Sequence, residues 1–252
     1  MYVVGSKLWK NGVVQKLPDG TNHPGGSSVF VSDDDVYVPG CDYRSDEKRI
    51  AAVWKNGIAQ HLTDGTREAE ALSVFVSGED VYAAGYTKGG SDENFVEVAT
   101  LWKNGIVQEL GKADEYRANF VFVYGEDVYV LVSGRYQPKL WINGSVENFT
   151  DDNTADAYSV FVSGGDVYVA GYVCSFAPGI VGTIWKNGEA QYLNTKYATS
   201  ARFVFVSGND VYVAGSDVGI TKAAVWKNGV VQHLSDGKNN SEDIGNSVFV
   251  VK

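Results

Sequence analysis

A pattern of hydrophobic and polar positions recurs along the chain, with successive tryptophans 39 to 48 residues apart. Each repeat holds a short apolar run, such as Val74–Val76 or Val204–Val206. Apolar residues on both faces predict a strand that is covered on both sides. A polar turn leads to a second strand, such as Val211–Gly215, and a third strand ends on the tryptophan. The last run, such as Val230–Leu234, alternates more and predicts a half-exposed outer strand.

The tryptophan opens a tetrapeptide, Trp-Lys-Asn-Gly, that recurs in five repeats and is altered in a sixth. Asn-Gly between two apolar runs predicts a two-residue hairpin with a type I′ turn, because both residues tolerate the positive φ that this turn needs. The sixth copy is altered to Trp-Ile-Asn-Gly at Trp141–Gly144. The unaltered copies are Trp9–Gly12, Trp54–Gly57, Trp102–Gly105, Trp185–Gly188 and Trp226–Gly229.

Six copies of a four-stranded unit predict an all-β fold, a six-bladed β-propeller with four antiparallel strands per blade. One such sheet cannot cover two apolar faces alone, whereas sheets packed radially cover one another. A length of 252 residues alone would suggest one or two domains. The internal repetition instead predicts a single domain over 1–252. The expected blades are approximately 247–252 with 1–17, 28–62, 73–110, 120–149, 159–193 and 203–234.

The two ends of the chain predict a split blade. Met1–Gly5 aligns with the second strand of the repeat, while Ser247–Val250 is a first strand with nothing after it. We therefore expect the C-terminal strand to pair with three N-terminal strands and close the ring. An excised domain, an engineered chain or a natural protein whose leader has been removed would each have such ends.

The net charge and the composition restrict the classes of binding partner that we expect. A net charge of −10 repels phosphate backbones, so nucleic acid and anionic lipid are not expected to bind. No apolar run approaches the roughly 20 residues of a membrane helix, and Met1–Gly5 lacks a basic, apolar leader pattern. Cys41 and Cys174 are expected to be free thiols. We expect a monomer that needs no cofactor and no metal.

The runs Val-Tyr-Val-Ala-Gly, Trp-Lys-Asn-Gly and Val-Phe-Val-Ser-Gly make the chain resemble a type of propeller repeat predicted in bacterial genomes. That resemblance covers essentially the whole chain and implies the propeller fold, often in secreted or cell-envelope proteins without assigned activity. The chain lacks the Gly-His and Trp-Asp pairs of WD repeats, the double glycine of kelch repeats and the Ser-x-Asp-x-Gly-x-x-Trp box of sialidases. Their catalytic residues therefore have no matching positions here.

Catalytic and metal-binding motifs are scarce. His61 and His233 share one repeat position in the outer strand, which predicts surface residues, and His23 stands alone in a loop. The acidic runs Asp33–Asp35 and Asp151–Asp156 lack the spacing of a calcium loop and are interpreted as turns. No nucleophile motif or phosphate-binding glycine loop is present.

One position varies strongly between repeats, two residues before each Val-Phe-Val run. It carries Ser27, Leu72, Asn119, Tyr158, Arg202 and Asn246. These residues are expected at the mouth of the propeller channel, where Tyr158, Arg202, Asn119 and Asn246 would contact a ligand through hydrogen bonds and stacking. Nearby loops are expected to add further tyrosines and arginines: Tyr43, Tyr86, Tyr136, Tyr172, Tyr197, Arg44, Arg117 and Arg135.

These patterns favour a non-enzymatic binding or scaffold module that presents a loop-rich face to a protein or glycan ligand. One alternative is a glycan-binding propeller with repeated pockets between blades. A second is a hydrolase or lyase, which would need Asp114, Glu115 and Asp156 to converge. A third is an engineered or structural propeller without a ligand.

Overall fold

A computed structural model describes residues 2–4, 8–10, 13–15, 28–43, 48–89, 96–110, 117–133, 137–174, 179–193, 199–217, 222–234 and 246–247. The chain divides into two compact units, Met1–Arg135 and Tyr136–Lys252, and each is described by itself. Every regular element in the described part is a β-strand, which confirms the all-β prediction. Within these ranges, no helix has the length and apolar character needed to cross a membrane.

The first unit holds antiparallel sheets built from consecutive strands. Strands β1, β2 and β3 form a three-stranded sheet, β4–β7 and β8–β11 each form a four-stranded sheet, and β12 pairs with β13. Their bounds are β1 Tyr2–Val4, β2 Leu8–Lys10, β3 Val13–Gln15, β4 Phe30–Ser32, β5 Asp35–Tyr43, β6 Arg49–Lys55, β7 Ile58–His61, β8 Ala69–Ser77, β9 Asp80–Gly89, β10 Val96–Lys103, β11 Ile106–Glu109, β12 Arg117–Tyr124 and β13 Asp127–Ser133.

The second unit repeats the same plan. Strand β14 pairs with β15, and β16–β19 and β20–β23 each form a four-stranded antiparallel sheet in sequence order. Their bounds are β14 Lys139–Ile142, β15 Ser145–Glu147, β16 Asp156–Ser163, β17 Asp166–Cys174, β18 Ile180–Lys186, β19 Glu189–Tyr192, β20 Thr199–Ser207, β21 Asp210–Asp217, β22 Lys222–Lys227 and β23 Val230–His233. The expected closing strand at 248–250 lies outside the described residues, and Ser247 lies in no strand.

The five Asn-Gly turns that the structure describes have the backbone that the sequence predicts. Their asparagines have φ between 48° and 52° and their glycines φ between 79° and 103°. Both central residues of a type I′ turn need such values. The turns are Asn56-Gly57, Asn104-Gly105, Asn143-Gly144, Asn187-Gly188 and Asn228-Gly229.

A cluster of four side chains, here called the turn clamp, holds four Trp-Lys-Asn-Gly turns of the described part against the start of the second strand. In the sheet β4–β7, Asn56 Oδ1 accepts the N–H of Val36 at 2.9 Å, and Asn56 Nδ2 donates to Asp35 Oδ1 at 2.6 Å. Lys55 Nζ lies 2.7 Å from the other oxygen of Asp35 and 5.3 Å from the centre of the Tyr37 ring. The equivalent clamps are Asp80, Tyr82, Lys103 and Asn104; Asp166, Tyr168, Lys186 and Asn187; and Asp210, Tyr212, Lys227 and Asn228.

Two cores form where the tryptophan of one sheet packs on the neighbouring sheet. Trp102 is fully buried with Val53 and Val74 in the first unit, and Trp226 is fully buried with Ile184 and Val204 in the second. The outer strands β11, β15 and β19 are exposed along their whole length, which is consistent with the predicted outer position.

The first strands of neighbouring sheets contact one another through phenylalanines and serines. Ring centroids of Phe75 and Phe122 lie 5.0 Å apart, and so do those of Phe161 and Phe205. In addition, Ser73 Oγ accepts the N–H of Val121 at 3.2 Å, and Ser159 Oγ accepts the N–H of Val204 at 3.1 Å. These contacts set the spacing of adjacent first strands within each unit.

Candidate functional site

The variable position of the repeat is a β-bulge in four first strands. The pairing register skips one residue between Ala71 and Ser73 in β8, and the same skip recurs in β12, β16 and β20. The skipped residues are Leu72, Asn119, Tyr158 and Arg202. A bulge re-aims the side chain that it carries, so the position that varies most is also the one that the sheet does not pair.

A glycine in the second strand accommodates three of these bulges. A Cβ on Gly171 would lie 2.0 Å from the carbonyl oxygen of Asp156, and a Cβ on Gly85 or Gly215 would meet a carbonyl oxygen at 1.9 Å. The chain therefore needs glycine there because the bulge pushes the neighbouring backbone against it. In the fourth repeat Val132 faces Ala118 instead, so that bulge accommodates a side chain.

Two bulge residues of the second unit contact each other. The guanidinium carbon of Arg202 lies 4.3 Å from the centre of the Tyr158 ring, which is a cation–π distance. The ring of Tyr172 lies 5.9 Å from that of Tyr158, at 40°. Asp156 pairs with Tyr172 across β16 and β17. We call Asp156, Tyr158, Tyr172 and Arg202 the Tyr158–Arg202 site.

Both phenols of this site are held in the protonated form. Burial raises the pKa of Tyr158 well above its ordinary value, while Arg202 opposes this shift and the Asp156 carboxylate adds to it. Burial and Asp156 also raise the pKa of Tyr172. At neutral pH the two hydroxyl groups therefore remain hydrogen-bond donors.

Arg202 has no counterion within the described part of the chain. Its Nε atom is enclosed and has no hydrogen-bond acceptor, and no carboxylate there lies within ion-pair distance of the guanidinium. Asp156, the acid of this site, accepts the N–H of Ala157 at 2.8 Å. An enclosed donor without an acceptor carries a free-energy cost.

The first unit holds a comparable cluster around Tyr86, which is fully buried. Arg117 and Arg49 lie over the Tyr86 ring at 4.6 and 5.8 Å, and the Tyr86 hydroxyl donates to Glu70 at 2.9 Å. Burial, followed by the charge of Glu70, raises the pKa of Tyr86. We call this cluster the Tyr86 network; its members are Arg49, Glu68, Glu70, Tyr86, Lys88, Glu97 and Arg117.

Every charged group of the Tyr86 network has a partner of opposite sign. Arg49 lies 2.9 Å from Glu70, Lys88 pairs with Glu68, and Arg117 binds both oxygens of Glu97 through Nε and Nη2. A hydrogen bond from Lys88 lowers the pKa of the Glu68 carboxyl. The network is therefore internally satisfied, which suits a structural role.

The structure places the remaining predicted contacts in different environments. Asn119 Nδ2 donates to Ser133 Oγ in the first unit, where Leu72 also lies. Asn246 is exposed, and Ser27 lies outside the described residues. The rival carboxylates Asp114 and Glu115 are likewise outside them.

The expectation that loops supply the surrounding aromatic and basic residues was wrong for four of them. Tyr43, Tyr86 and Tyr172 lie within β5, β9 and β17, and Arg117 begins β12. The strands run longer than the short apolar runs indicated, because pairing resumes beyond each bulge. The remaining four, Tyr136, Tyr197, Arg44 and Arg135, lie outside the described residues.

Two histidine–aspartate pairs were missed by sequence reasoning. His61 Nε2 lies 2.9 Å from Asp42, and His233 Nε2 lies 3.2 Å from Asp217, a carboxylate that is almost fully buried. Both histidines are surface residues, as predicted. The signal was present, since Asp and His occur together at the same two repeat positions in these repeats. No group of three metal-ligating side chains occurs among the described residues.

Cys41 and Cys174 are both free, as predicted; Cys41 is buried and Cys174 is exposed. Burial raises the pKa of the Cys41 thiol. In the acidic run of the second unit, Asp152 Oδ1 accepts the N–H of Thr154 at 2.8 Å, a turn arrangement of the kind the sequence indicates.

Comparison with known proteins shows the fold alone. No protein family and no curated protein sequence matches the chain. A solved prolyl endopeptidase structure is similar with a TM-score of 0.53 and 13% identity, over 88% of this chain and 36% of that one. The acylaminoacyl peptidase of Pyrococcus horikoshii gives 0.50 and 13%, over 93% and 42%.

A third structure, the Bombyx mori GH32 β-fructofuranosidase BmSUC1, has a TM-score of 0.41 and 9% identity, over 75% of this chain and 53% of that one, which is too low to carry an argument. The chain thus spans about a third to a half of these structures. The first two likenesses support a propeller-like all-β fold. At such identities they assign no activity.

Proposed function

We propose that the protein is a non-enzymatic binding module whose ligand contacts the Tyr158–Arg202 site. The observation that supports this most is Arg202, which is stacked on Tyr158 while its enclosed Nε has no acceptor in the described part of the chain. Binding sites combine a rigid frame with a few unsatisfied polar groups, and this site has that combination.

Hydrogen bonds between neighbouring strands hold the backbone around the site in place. Tyr158 and Arg202 are bulge residues of neighbouring first strands, and the hydrogen bond from Val204 to Ser159 joins those strands. Buried Ser200 and Ser216, whose hydroxyl oxygens lie 2.8 Å apart, pair beside Arg202. The two side chains are therefore held in one arrangement before a ligand arrives, which lowers the entropic cost of binding.

A thermal-shift screen with glycans, small metabolites and peptides tests the proposal. The wild type is compared with a Tyr158→Ala, Arg202→Ala double variant and with Arg67→Ala, an exposed arginine outside the site. We expect a ligand to stabilise the wild type and the Arg67 variant but not the double variant. A ligand that binds the double variant equally, with several copies per chain, would favour repeated glycan pockets between blades. No stabilisation by any compound would contradict the proposal.

The six-bladed closed ring is part of the same proposal. It is supported by six copies of the hairpin in the sequence and by the consecutive four-stranded sheets of the described part. Deleting Ser247–Lys252 should then abolish cooperative unfolding, because the first blade would lose its inner strand. If the shortened chain melts cooperatively at nearly the same temperature, the closure by a split blade is wrong.

A further inference from the structure

We propose that Asn143 is a modification site: of the five Asn-Gly turns that the structure describes, it carries the asparagine that deamidates fastest in the folded protein. This inference concerns the hairpin turns and is independent of the proposed binding function. It follows from the clamps that hold the other four turns, from Ile142 in this one and from the backbone of the hairpin that carries Asn143.

Deamidation at an Asn-Gly pair is an intramolecular reaction. The backbone nitrogen of the glycine attacks Cγ of the asparagine, so a new C–N bond forms and the bond from Cγ to Nδ2 breaks. Nδ2 leaves as ammonia with the proton of the glycine N–H, and a five-membered imide remains. Water then opens the imide to aspartate or isoaspartate. Glycine favours this attack because it has no side chain to obstruct the approach.

A clamped turn opposes this attack, because both ends of the asparagine amide are bound. Asn187 Oδ1 accepts the N–H of Val167 at 2.8 Å, and Asn187 Nδ2 donates to Asp166 Oδ1 at 2.7 Å. Cγ can approach the glycine nitrogen only after the side chain leaves these partners, so the rate depends on how often the turn opens. The same two hydrogen bonds hold Asn56, Asn104 and Asn228.

The lysine of the clamp supports the asparagine through the shared aspartate. Lys186 Nζ lies 2.7 Å from Asp166 Oδ2, the oxygen that Asn187 does not use. It therefore holds the carboxylate in place while the other oxygen accepts the asparagine N–H. Ile142 stands in the position of this lysine in the altered copy, and its apolar side chain donates no hydrogen bond.

The hairpin of Asn143 also differs in its backbone. Its outer strand β15 has three residues, whereas β7, β11, β19 and β23 each have four. Gly144 has a φ of 103°, whereas the glycines of the other four turns have φ between 79° and 85°. A shorter outer strand holds the turn with fewer ladder hydrogen bonds, so we expect this turn to open more often.

Peptide mapping by mass spectrometry measures deamidation at each Asn-Gly pair. Folded wild type is incubated at mildly alkaline pH, and the same sites are followed in the protein unfolded by urea. Dividing the folded rate by the unfolded rate at each site cancels the effect of the preceding residue on the intrinsic rate. On this scale we expect Asn143 to react at least about threefold faster than the four clamped asparagines, because it lacks the lysine and has the shorter strand.

Ile142→Lys restores the residue types of the clamp, since Asp127 already occupies the equivalent position of the aspartate in this repeat. This variant should slow the deamidation of Asn143 about two- to fivefold, which is the effect of one exposed ion pair.

The reciprocal variant, Lys186→Ile, removes the lysine from a complete clamp. It should accelerate the deamidation of Asn187 by a similar factor. Asn56 and Asn228 are internal controls in both variants and should keep their wild-type rates. Thermal melts establish that each variant is folded.

Three results would each overturn the inference. The first is a ratio of folded to unfolded rate at Asn143 that is no higher than at the clamped asparagines. The second is an unchanged ratio at Asn143 in Ile142→Lys, and the third is an unchanged ratio at Asn187 in Lys186→Ile. The ligand screen of the Tyr158–Arg202 site does not measure these rates, so failure of the binding proposal is distinguishable from failure of this one.

Discussion

Tyr86 and Tyr172 occupy the same position of the repeat, each facing an acidic residue of the first strand, yet their surroundings differ. Tyr86 faces Glu70 and lies under two arginines that are paired with glutamates. Tyr172 faces Asp156 and lies beside Tyr158, whose arginine has no carboxylate partner in the described part of the chain. The same backbone position thus supports an internally paired network in one unit and an unpaired cation in the other.

The sheet does not dictate what the cluster does. The backbone supplies a bulge, a facing strand and an aromatic position, and the side chains decide whether charges pair internally. In the Tyr86 network they pair, so that cluster is expected to contribute to stability. In the Tyr158–Arg202 site they do not, so that cluster is expected to contribute less to stability and more to binding.

The largest expected effect comes from removing one tyrosine from each cluster, Tyr86 from the first and Tyr158 from the second. Tyr86→Ala should cost about 3–5 kcal/mol, because it removes a fully buried aromatic ring and the hydrogen bond from its hydroxyl to Glu70. Tyr158→Ala should cost about 1–2 kcal/mol, because its side chain is only partly buried. Urea unfolding followed by tryptophan fluorescence measures both. Equal losses of stability would remove the distinction between the two clusters.

A smaller effect is expected from the glycine behind the Tyr158 bulge. Gly171→Ala would place a Cβ 2.0 Å from the carbonyl oxygen of Asp156, so the bulge must shift, at a cost of about 1–3 kcal/mol. Gly89→Ala is the matched control, since its Cβ would make only an ordinary 3.6 Å contact with Val98. If Gly171→Ala is no less stable than Gly89→Ala, the bulge geometry described here is wrong.

Neutralising Glu70, which faces Tyr86, and Asp156, which faces Tyr172, should have different effects in the two clusters. Glu70→Gln leaves the guanidinium of Arg49 without its closest carboxylate and should cost about 1–2 kcal/mol. Asp156→Asn breaks no ion pair among the described residues, and it should lower the pKa of Tyr158, because the Asp156 charge contributes to raising it. Ultraviolet titration of tyrosinate, with Tyr158→Phe to assign the signal, follows this change. A Tyr158 pKa that rises would contradict it.

The smallest expected effect lies at the turn clamps, which do not differ between the units. A hydrogen bond from Lys186, followed by one from Asn187, lowers the pKa of Asp166 below its ordinary value of 3.8. A carboxyl whose pKa is lower in the folded state stabilises the protein above its unfolded pKa, and this contribution disappears as pH falls through the folded value. Wild type should therefore lose slightly more stability than Asp166→Asn between neutral pH and pH values below 3.8, as measured by urea midpoints. Identical pH profiles would show that this clamp contributes nothing measurable.

The all-β sheets and their turns followed from the sequence because the signals for them are local. Asn-Gly turns and apolar runs depend on residues a few positions apart, and the φ values of Asn56, Asn104 and Asn228 confirm the turns. The variable position was also identified from the sequence, although its identity as a bulge was not. A bulge inserts one unpaired residue without altering the apolar pattern around it, so periodicity does not reveal it.

Contacts between distant residues were harder to predict. The pairing of Tyr158 with Arg202 involves neighbouring repeats, and the sequence placed the two in one expected site without showing that they stack. The Tyr86 network was not anticipated, because it joins residues from three sheets whose relative rotation no local pattern specifies. The His233–Asp217 pair had a signal in the joint occurrence of two residue types, but a single chain offers only a few repeats in which to see it.

The β-bulge also has a consequence for how such a chain can diversify. Because Leu72, Asn119, Tyr158 and Arg202 lie outside the pairing ladder, their replacement leaves the register of every strand intact. Substitutions at these four positions can therefore change the chemistry of the surface while the strand pairing stays the same. A combinatorial library restricted to these codons would sample recognition with little loss of foldable members.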